Sequence, residues 1–106
     1  MLITTTETIA NHRIVKTLGL VRGNTVRARH VGKDIMASLR NVVGGEIHEY
    51  AKLIAESREQ TLDRMVAEAE ALGANAIIAT RFTTSVMMGG AAELLAVGTA
   101  VIIEPE

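Results

Sequence analysis

The sequence predicts one α+β domain in which an antiparallel sheet packs against one long and one short helix. Two stretches of alternating hydrophobicity, residues 76–88 and 92–103, predict a strand pair joined by a turn at Gly89-Gly90. A charged stretch before them, residues 46–72, carries apolar side chains at helical spacing. The 106 residues are enough for a single domain, residues 1–106, with a thin core.

The first part of the chain predicts strands. Residues 2–5 are rich in β-branched side chains, which favours a short strand, and residues 6–11 are expected to form a connecting turn. Residues 13–21 alternate as a strand does. Gly23-Asn24 predicts a turn because both residues tolerate positive φ, and residues 25–29 resume the strand.

Two helices are expected next. Residues 30–43 place apolar side chains four, four and three apart, which predicts a short helix that ends at Gly44-Gly45. The second helix, residues 46–72, would be about 40 Å long, with Gly73 as its C-cap. Ser57 and Arg58 interrupt its apolar stripe, which comprises Ile47, Tyr50, Ala51, Ile54, Thr61, Leu62, Met65, Ala69 and Leu72.

The predicted hairpin is apolar on both faces. Residues 71–103 contain only two charged residues, Arg81 and Glu93, and a two-residue turn would place Gly98 opposite Arg81. One helix can cover only one face, so we expect the other face to meet a second copy of the chain. Ala96→Glu is then expected to break the assembly or to make the chain insoluble, whereas Glu59→Ala on the helix's polar side is expected to have little effect.

The amino-acid composition excludes or disfavours several classes of function. The chain is 48% hydrophobic but only 2% aromatic, so its core is aliphatic, and stacking on bases or sugars is disfavoured. The absence of cysteine excludes disulfides, thiolate nucleophiles and cysteine-based metal sites. The N-terminus lacks the pattern of a signal peptide, and no apolar run reaches the ~18 residues that a membrane span needs, so a cytoplasmic location is expected.

The candidate metal ligands lie at the start of the long helix. Glu46 and Glu49 are three residues apart, with His48 between them, and such helix starts could build a carboxylate and imidazole site in a ring of subunits. Acidic residues are also favoured at helix N-termini without any ligand. The other histidines, His12 and His30, complete no metal motif.

Two other function classes remain open. In an enzyme with an intersubunit site, Glu46, His48, Glu49 and Tyr50 would be the acid–base candidates, although no catalytic motif is present. Residues 12–33 contain basic side chains and no acid, which would suit an anion or nucleic acid. The residues for that role are Arg22, Arg27, Arg29 and Lys33.

Three blocks resemble a known family. They are Val42-Val43-Gly44-Gly45 with Tyr50 shortly after, residues 71–78 (ALGANAII), and Gly98-Thr99-Ala100-Val101. In this order and spacing the chain resembles the YbjQ-type family of small bacterial and archaeal proteins over essentially its whole length. The family usually has a basic residue where Glu46 stands here, and a Met- and Ser-rich run where residues 92–97 stand.

The resemblance implies a dodecin-like subunit that assembles into a ring, with five copies expected. The resemblance also brings the family's label, heavy-metal-binding. Soft heavy metals prefer thiolate ligands, and this chain has no cysteine to supply them. The expected function is therefore that of a non-enzymatic homo-oligomer that binds a metal ion or small ligand at subunit interfaces. Its partner would be itself, and no cofactor can be named.

Overall fold

A computed structural model describes residues 1–27, 45–86 and 92–106, without the side chains of residues 45–51, 53 and 86. The described elements are four strands and one helix, which confirms the α+β class. They are β1 (Leu2–Ile3), β2 (His12–Arg27), α1 (Gly45–Ala71), β3 (Ala76–Val86) and β4 (Ala92–Pro105). The predicted short helix over residues 30–43 and the turn at Gly89-Gly90 lie outside the described residues.

The sheet is mixed, which corrects the expectation of an antiparallel one. Its strand order is β1-β3-β4-β2. β4 pairs antiparallel with both neighbours, but β1 runs parallel to β3, with Leu2 opposite Ala76 and Ile3 opposite Ile77. β1 and β2 lie at opposite edges, so the segment between them is a crossover and not a hairpin, and it does not force the two strands to run in opposite directions.

β2 is one continuous strand, so the predicted turn at Gly23-Asn24 is wrong. Gly23 does not form a turn. It is needed because α1 packs closely against it. A Cβ at this position would collide with the Thr61 carbonyl oxygen and would lie 2.6 Å from the Met65 backbone nitrogen. The missing side chain therefore lets α1 approach the backbone of the strand directly.

A β-bulge in β3 changes which residues share a face. Ile78 pairs with Thr99 but Arg81 pairs with Val97, so two residues of β3 oppose one of β4. Ala79 lies at the bulge with a φ of 53°. Arg81 is thus opposite Val97 and not Gly98, and the predicted register was wrong because an inserted residue leaves no periodic signal.

α1 packs on the sheet through a stripe of small and flexible side chains. Ser57, Thr61, Met65 and Ala69 are fully buried at four-residue spacing. The predicted bounds of the helix are confirmed to within a residue at each end. Gly73 adopts a φ of 83°, as a helix C-cap requires.

The stripe differs from the predicted one at two positions. Ser57 lies within it and does not interrupt it, and Leu72 is 46% exposed. Met65 and Ala69 contribute to the main core cluster, together with Val21, Ile77, Ala96 and Ala100 from the sheet. The core therefore lies between α1 and one face of the sheet.

The apolar side chains of the hairpin face two different environments. Leu94, Ala96 and Ala100 are buried toward α1, whereas Leu95 and Val97 are half-buried on the opposite side. Ala96→Glu would therefore place a carboxylate in the subunit core. The substitution does not test assembly, which corrects the expectation attached to it.

The N-terminal segment covers one end of the second face. Ala76, Ile78 and Val101 form a small buried cluster with half-buried Ile9 and Ile103. Backbone hydrogen bonds hold this segment against β3, among them Thr4 N–H to the Ile77 carbonyl (2.9 Å) and Ala79 N–H to the Thr6 carbonyl (2.8 Å). The chain itself thus covers part of the surface that the sequence assigns to a second copy.

Candidate functional site

The predicted metal ligands lie at the start of α1. The structure places the backbones of Glu46, His48 and Glu49 in its first turns, and the side chains lie outside its description. Two acidic residues at a helix N-terminus suit the helix dipole whether or not a ligand is present. The candidate set stays a prediction.

His12 is the one histidine whose side chain is described. It begins β2 opposite Pro105, and its Nδ1 lies 2.9 Å from the Ala10 carbonyl oxygen. A carbonyl oxygen can only accept, so Nδ1 donates in this contact. His30, predicted to lie in the short helix, is outside the described residues.

No metal site is formed by side chains within the described ranges. There, no three residues among His, Cys, Asp and Glu come close enough to hold an ion. The chain also has no cysteine. The donors described in one subunit therefore do not fit a soft heavy metal, which prefers thiolate ligands.

Of the basic residues predicted for anion binding, the two that the structure describes, Arg22 and Arg27, lie on opposite faces of the sheet. Arg22 is exposed on the sheet face away from α1. Arg27 lies on the α1 side, where its Nε donates to Ser57 Oγ and its Nη2 donates to Gln60 Oε1, both at 2.7 Å. Arg29 and Lys33 lie outside the described residues. Successive side chains of a strand alternate in direction, so their closeness in sequence does not make one patch.

A buried hydroxyl cluster joins α1 to β2, and sequence reasoning missed it. Thr25 Oγ1 and Thr61 Oγ1 are 2.8 Å apart, and Thr61 Oγ1 donates to the Ser57 carbonyl at 2.8 Å. Both threonines are almost fully buried. The four-residue spacing of Ser57 and Thr61 within the helical stripe was the available signal. The cluster is structural because its members hydrogen-bond one another.

Asn75, within the ALGANAII block, also has a structural role. Its Nδ2 donates to the Ile103 carbonyl at 2.9 Å, and its Oδ1 accepts from the Ile103 N–H at 2.8 Å. The side-chain amide therefore imitates a strand and extends the pairing of β4 beyond β3. The block fixes the turn between helix and sheet, and it supplies no ligand here.

One sheet face carries exposed aliphatic side chains among polar ones. We call the sheet face away from α1 the open face. On it, Leu20 is 67% exposed and Val26 is 51% exposed, with exposed Arg22 and Asn24 between them on β2. Leu95 and Val97 are half-buried on the same face of β4.

A second apolar feature lies on the α1 side. Phe82, the single phenylalanine of the chain, is 48% exposed and lines an open groove of about 520 Å³. Ala55, Arg58, Glu59 and Leu62 of α1 form the remainder of its described lining. The groove therefore combines an aromatic side chain on β3 with the flank of the helix.

Among the described residues, α1 is long enough to span a bilayer at 27 residues, but its sequence is too polar to cross one.

Known proteins are similar over the whole chain. A "UPF0145 protein" of Dehalococcoides mccartyi strain BAV1 is 59% identical over 104 residues, covering 98% of this chain and 100% of that protein. One from Methanosarcina acetivorans is 57% identical over 103 residues, covering 97% of each. One from Clostridioides difficile strain 630 is 55% identical over 106 residues, covering 100% of this chain and 95% of that protein.

A solved structure supports the fold. It is a protein of unknown function of the DUF74 family from Pediococcus pentosaceus, with a TM-score of 0.65, 18% identity and coverage of 98% of both chains. The YbjQ family model, described as "Putative heavy-metal-binding", matches residues 1–104. The resemblance drawn from the three sequence blocks is thereby confirmed, and the chain belongs to the YbjQ (UPF0145) family.

Proposed function

We propose that this protein is a homo-oligomeric binding protein whose subunits meet through the sheet, with a metal ion or small ligand held at the subunit boundary. The exposed apolar side chains of the described residues carry the proposal. Leu20 is 67% exposed and Val26 is 51% exposed on the open face, and Phe82 is 48% exposed beside α1.

The free energy of burial supports the same conclusion. Leu20, Val26 and Phe82 are each about half exposed or more. Complete burial of such a side chain contributes about 1.5–3 kcal/mol relative to full exposure. Association recovers part of that free energy.

The number of metal-ligating side chains favours a site between subunits over a site within one subunit. A metal site needs at least three or four ligands, which no described cluster in one subunit supplies. The start of α1 offers Glu46, His48 and Glu49, and symmetry would multiply this set wherever helix starts of several subunits meet. Imidazole and carboxylate donors suit Zn²⁺ or Ni²⁺ better than a soft heavy metal.

The first test is the mass in solution. Sedimentation equilibrium should give a multiple of the 11.3-kDa chain, and five copies are expected. A protein that stays at 11.3 kDa across the accessible concentration range would refute the proposal.

The second test concerns the ligand. Titration calorimetry with Zn²⁺ should show binding to the wild-type assembly, and Glu46→Ala with His48→Ala and Glu49→Ala should abolish it. The triple variant Glu56→Ala, Glu68→Ala and Glu70→Ala, which removes exposed side chains of the same helix, should bind as the wild type does. Equal binding by both triple variants, or none by the wild type, would reject the metal site while leaving the assembly intact.

A further inference from the structure

We infer that the groove between α1 and β3 binds a small zwitterion with an aromatic body, of the class of an aromatic α-amino acid. The groove has a volume of about 520 Å³, and its described lining belongs to one subunit. The site lies on the α1 side of the sheet, away from the open face, and does not depend on how many copies assemble. Three features point to this ligand: the order of the lining side chains along the helix, their charges, and the aromatic ring on the opposite wall.

One stripe of α1 forms the helical wall of the groove. It comprises Ala55, Arg58, Glu59 and Leu62. Side chains three, four and seven residues apart lie on the same flank of a helix. This flank is distinct from the buried stripe that begins at Ser57 and packs on the sheet. The wall therefore has apolar side chains at its two ends and two charged side chains between them.

The opposite wall is Phe82 of β3. It pairs with Ala96 of β4, which belongs to the core beneath α1, so Phe82 lies on the α1 side of the sheet. The residue is 48% exposed. A half-exposed aromatic ring offers its face or its edge to a second ring, and aromatic pairs prefer these two arrangements. A ligand ring placed here would bury apolar surface on Phe82 and on the helix at the same time.

The two charged residues of the stripe have opposite signs, and within the described part of the chain neither forms an ion pair. The ion pair found there joins Arg13 and Glu104. Adjacent side chains of a helix point about 100° apart and do not face each other. The guanidinium of Arg58 and the carboxylate of Glu59 therefore do not satisfy one another, and both can meet a ligand that lies in the groove.

This arrangement of charges favours a ligand that carries both signs. A simple anion would be attracted by Arg58 and repelled by Glu59, and a simple cation would meet the reverse. A zwitterion can place its carboxylate against the guanidinium and its ammonium against the carboxylate of Glu59. An α-amino acid carries both groups on one carbon atom, which leaves its aromatic side chain free to contact Phe82.

The size and the exposure of the groove set the expected affinity. Small-molecule sites have volumes of about 300–1,000 Å³, and this groove falls within that range. Arg58 and Glu59 are exposed, so water weakens both charged contacts. We expect a dissociation constant on the order of 1 mM.

The test uses three related compounds and amide chemical-shift mapping by NMR. L-phenylalanine carries both charges, phenylpropionate lacks the ammonium, and phenethylamine lacks the carboxylate. L-phenylalanine should shift the amide signals of the residues that line the groove. It should also bind roughly two- to fivefold more tightly than either analogue, because each analogue loses one exposed charged contact.

Substitutions then identify which side chain recognises which charge. Arg58→Gln should abolish the advantage of L-phenylalanine over phenethylamine and keep its advantage over phenylpropionate. Glu59→Gln should give the reverse result. Lys52→Gln and Glu68→Gln alter exposed positions of α1 outside the groove, and these controls should bind all three compounds as the wild type does. Circular dichroism checks that each variant is folded.

The aromatic wall has its own variant. The wild type should bind L-phenylalanine more tightly than L-leucine, and Phe82→Leu should remove this preference while keeping the preference for a zwitterion.

Other results would overturn the inference. Amide signals of the groove that do not move at roughly ten times the expected dissociation constant would show that no such ligand binds there. Equal binding of L-phenylalanine and its two analogues would show that the charges do not select the ligand. A loss of selectivity in the control variants equal to that in Arg58→Gln and Glu59→Gln would mean that net charge, and not the groove, decides binding.

Discussion

Two buried threonines show that the environment decides how much one hydroxyl contributes to stability. Thr61 Oγ1 makes two hydrogen bonds at the α1–β2 contact. Thr80 Oγ1 is buried without a hydrogen-bond partner in the described structure, and its residue is 2% exposed. Valine has the shape of threonine without the hydroxyl, so the same substitution tests both environments.

We expect opposite results from Thr61→Val and Thr80→Val. Thr61→Val removes two hydrogen bonds and leaves Thr25 with a weaker partner, so it should lower the free energy of unfolding by about 1–3 kcal/mol. Thr80→Val removes a desolvated hydroxyl that gains nothing in return and should be neutral or stabilising. Urea denaturation measures both. A loss from Thr80→Val as large as that from Thr61→Val would show that the Thr80 hydroxyl is hydrogen-bonded in solution.

Ala79 carries the backbone strain of the bulge in β3. Its φ of 53° lies in the left-handed region, which costs a non-glycine residue about 1–2 kcal/mol. Ala79→Gly should therefore raise the free energy of unfolding by up to about 1 kcal/mol, after the greater entropy of glycine in the unfolded chain is subtracted. Ala67→Gly, near the C-terminal end of α1, should lower it by up to about 1 kcal/mol. Destabilisation by both changes would contradict this account of the bulge.

At the scale of elements, periodic patterns in the sequence predicted the helix and the strands well, whereas a local turn signal was misleading. The 3.6-residue pattern gave α1 to within a residue at each end, and alternation located β3 and β4. Gly23-Asn24 carries the chemistry of a turn, yet α1 packs across it and the strand continues. Glycine serves both purposes, and only the partner element, distant in sequence, distinguishes them.

The surroundings of the basic residues and of Ser57 were predicted less well than the fold. The reason is again that contacts between elements distant in sequence leave no local signal. Arg22 and Arg27 belong to one basic stretch, but the alternation of β2 separates them onto two faces. Ser57 interrupts an apolar stripe in sequence, but in the structure it faces Thr25 and Arg27 of β2. Hydrogen bonds between residues about 30 apart leave no periodic pattern in a sequence.

The close approach of α1 to β2 can be tested at Gly23. A methyl group here would press on the Thr61 carbonyl and on the Met65 backbone nitrogen, and neither can move without shifting the helix. Gly23→Ala should therefore lower the free energy of unfolding by about 1–3 kcal/mol. Asn24→Ala, at the next position and exposed, should change it by less than about 0.5 kcal/mol. Equal, small effects of the two changes would mean that the helix does not rest on the strand at this point.

At the scale of the whole molecule, the described residues leave part of the sheet uncovered in one subunit. The core between α1 and the sheet is small, with Val21, Met65 and Ile77 as its largest apolar side chains. The N-terminal segment covers one end of the second face. In the described part of the chain Leu20 and Val26 are exposed on the open face, so in the proposed oligomer stability and assembly should be coupled.

That coupling predicts a melting temperature that depends on protein concentration. Partner subunits bind the folded state alone, so assembly stabilises it by mass action. A tenfold increase in concentration supplies about 1.4 kcal/mol to association, and 1 kcal/mol shifts the melting temperature of a domain of this size by about 4–8 °C. The wild type should therefore melt several degrees higher after tenfold concentration. Differential scanning calorimetry over a dilution series measures this. The Leu20→Lys and Val26→Lys double variant, which places charges on the open face, should melt lower and at one temperature throughout. A wild-type melting temperature that does not change with concentration would mean that the exposed sheet is stable in a single subunit.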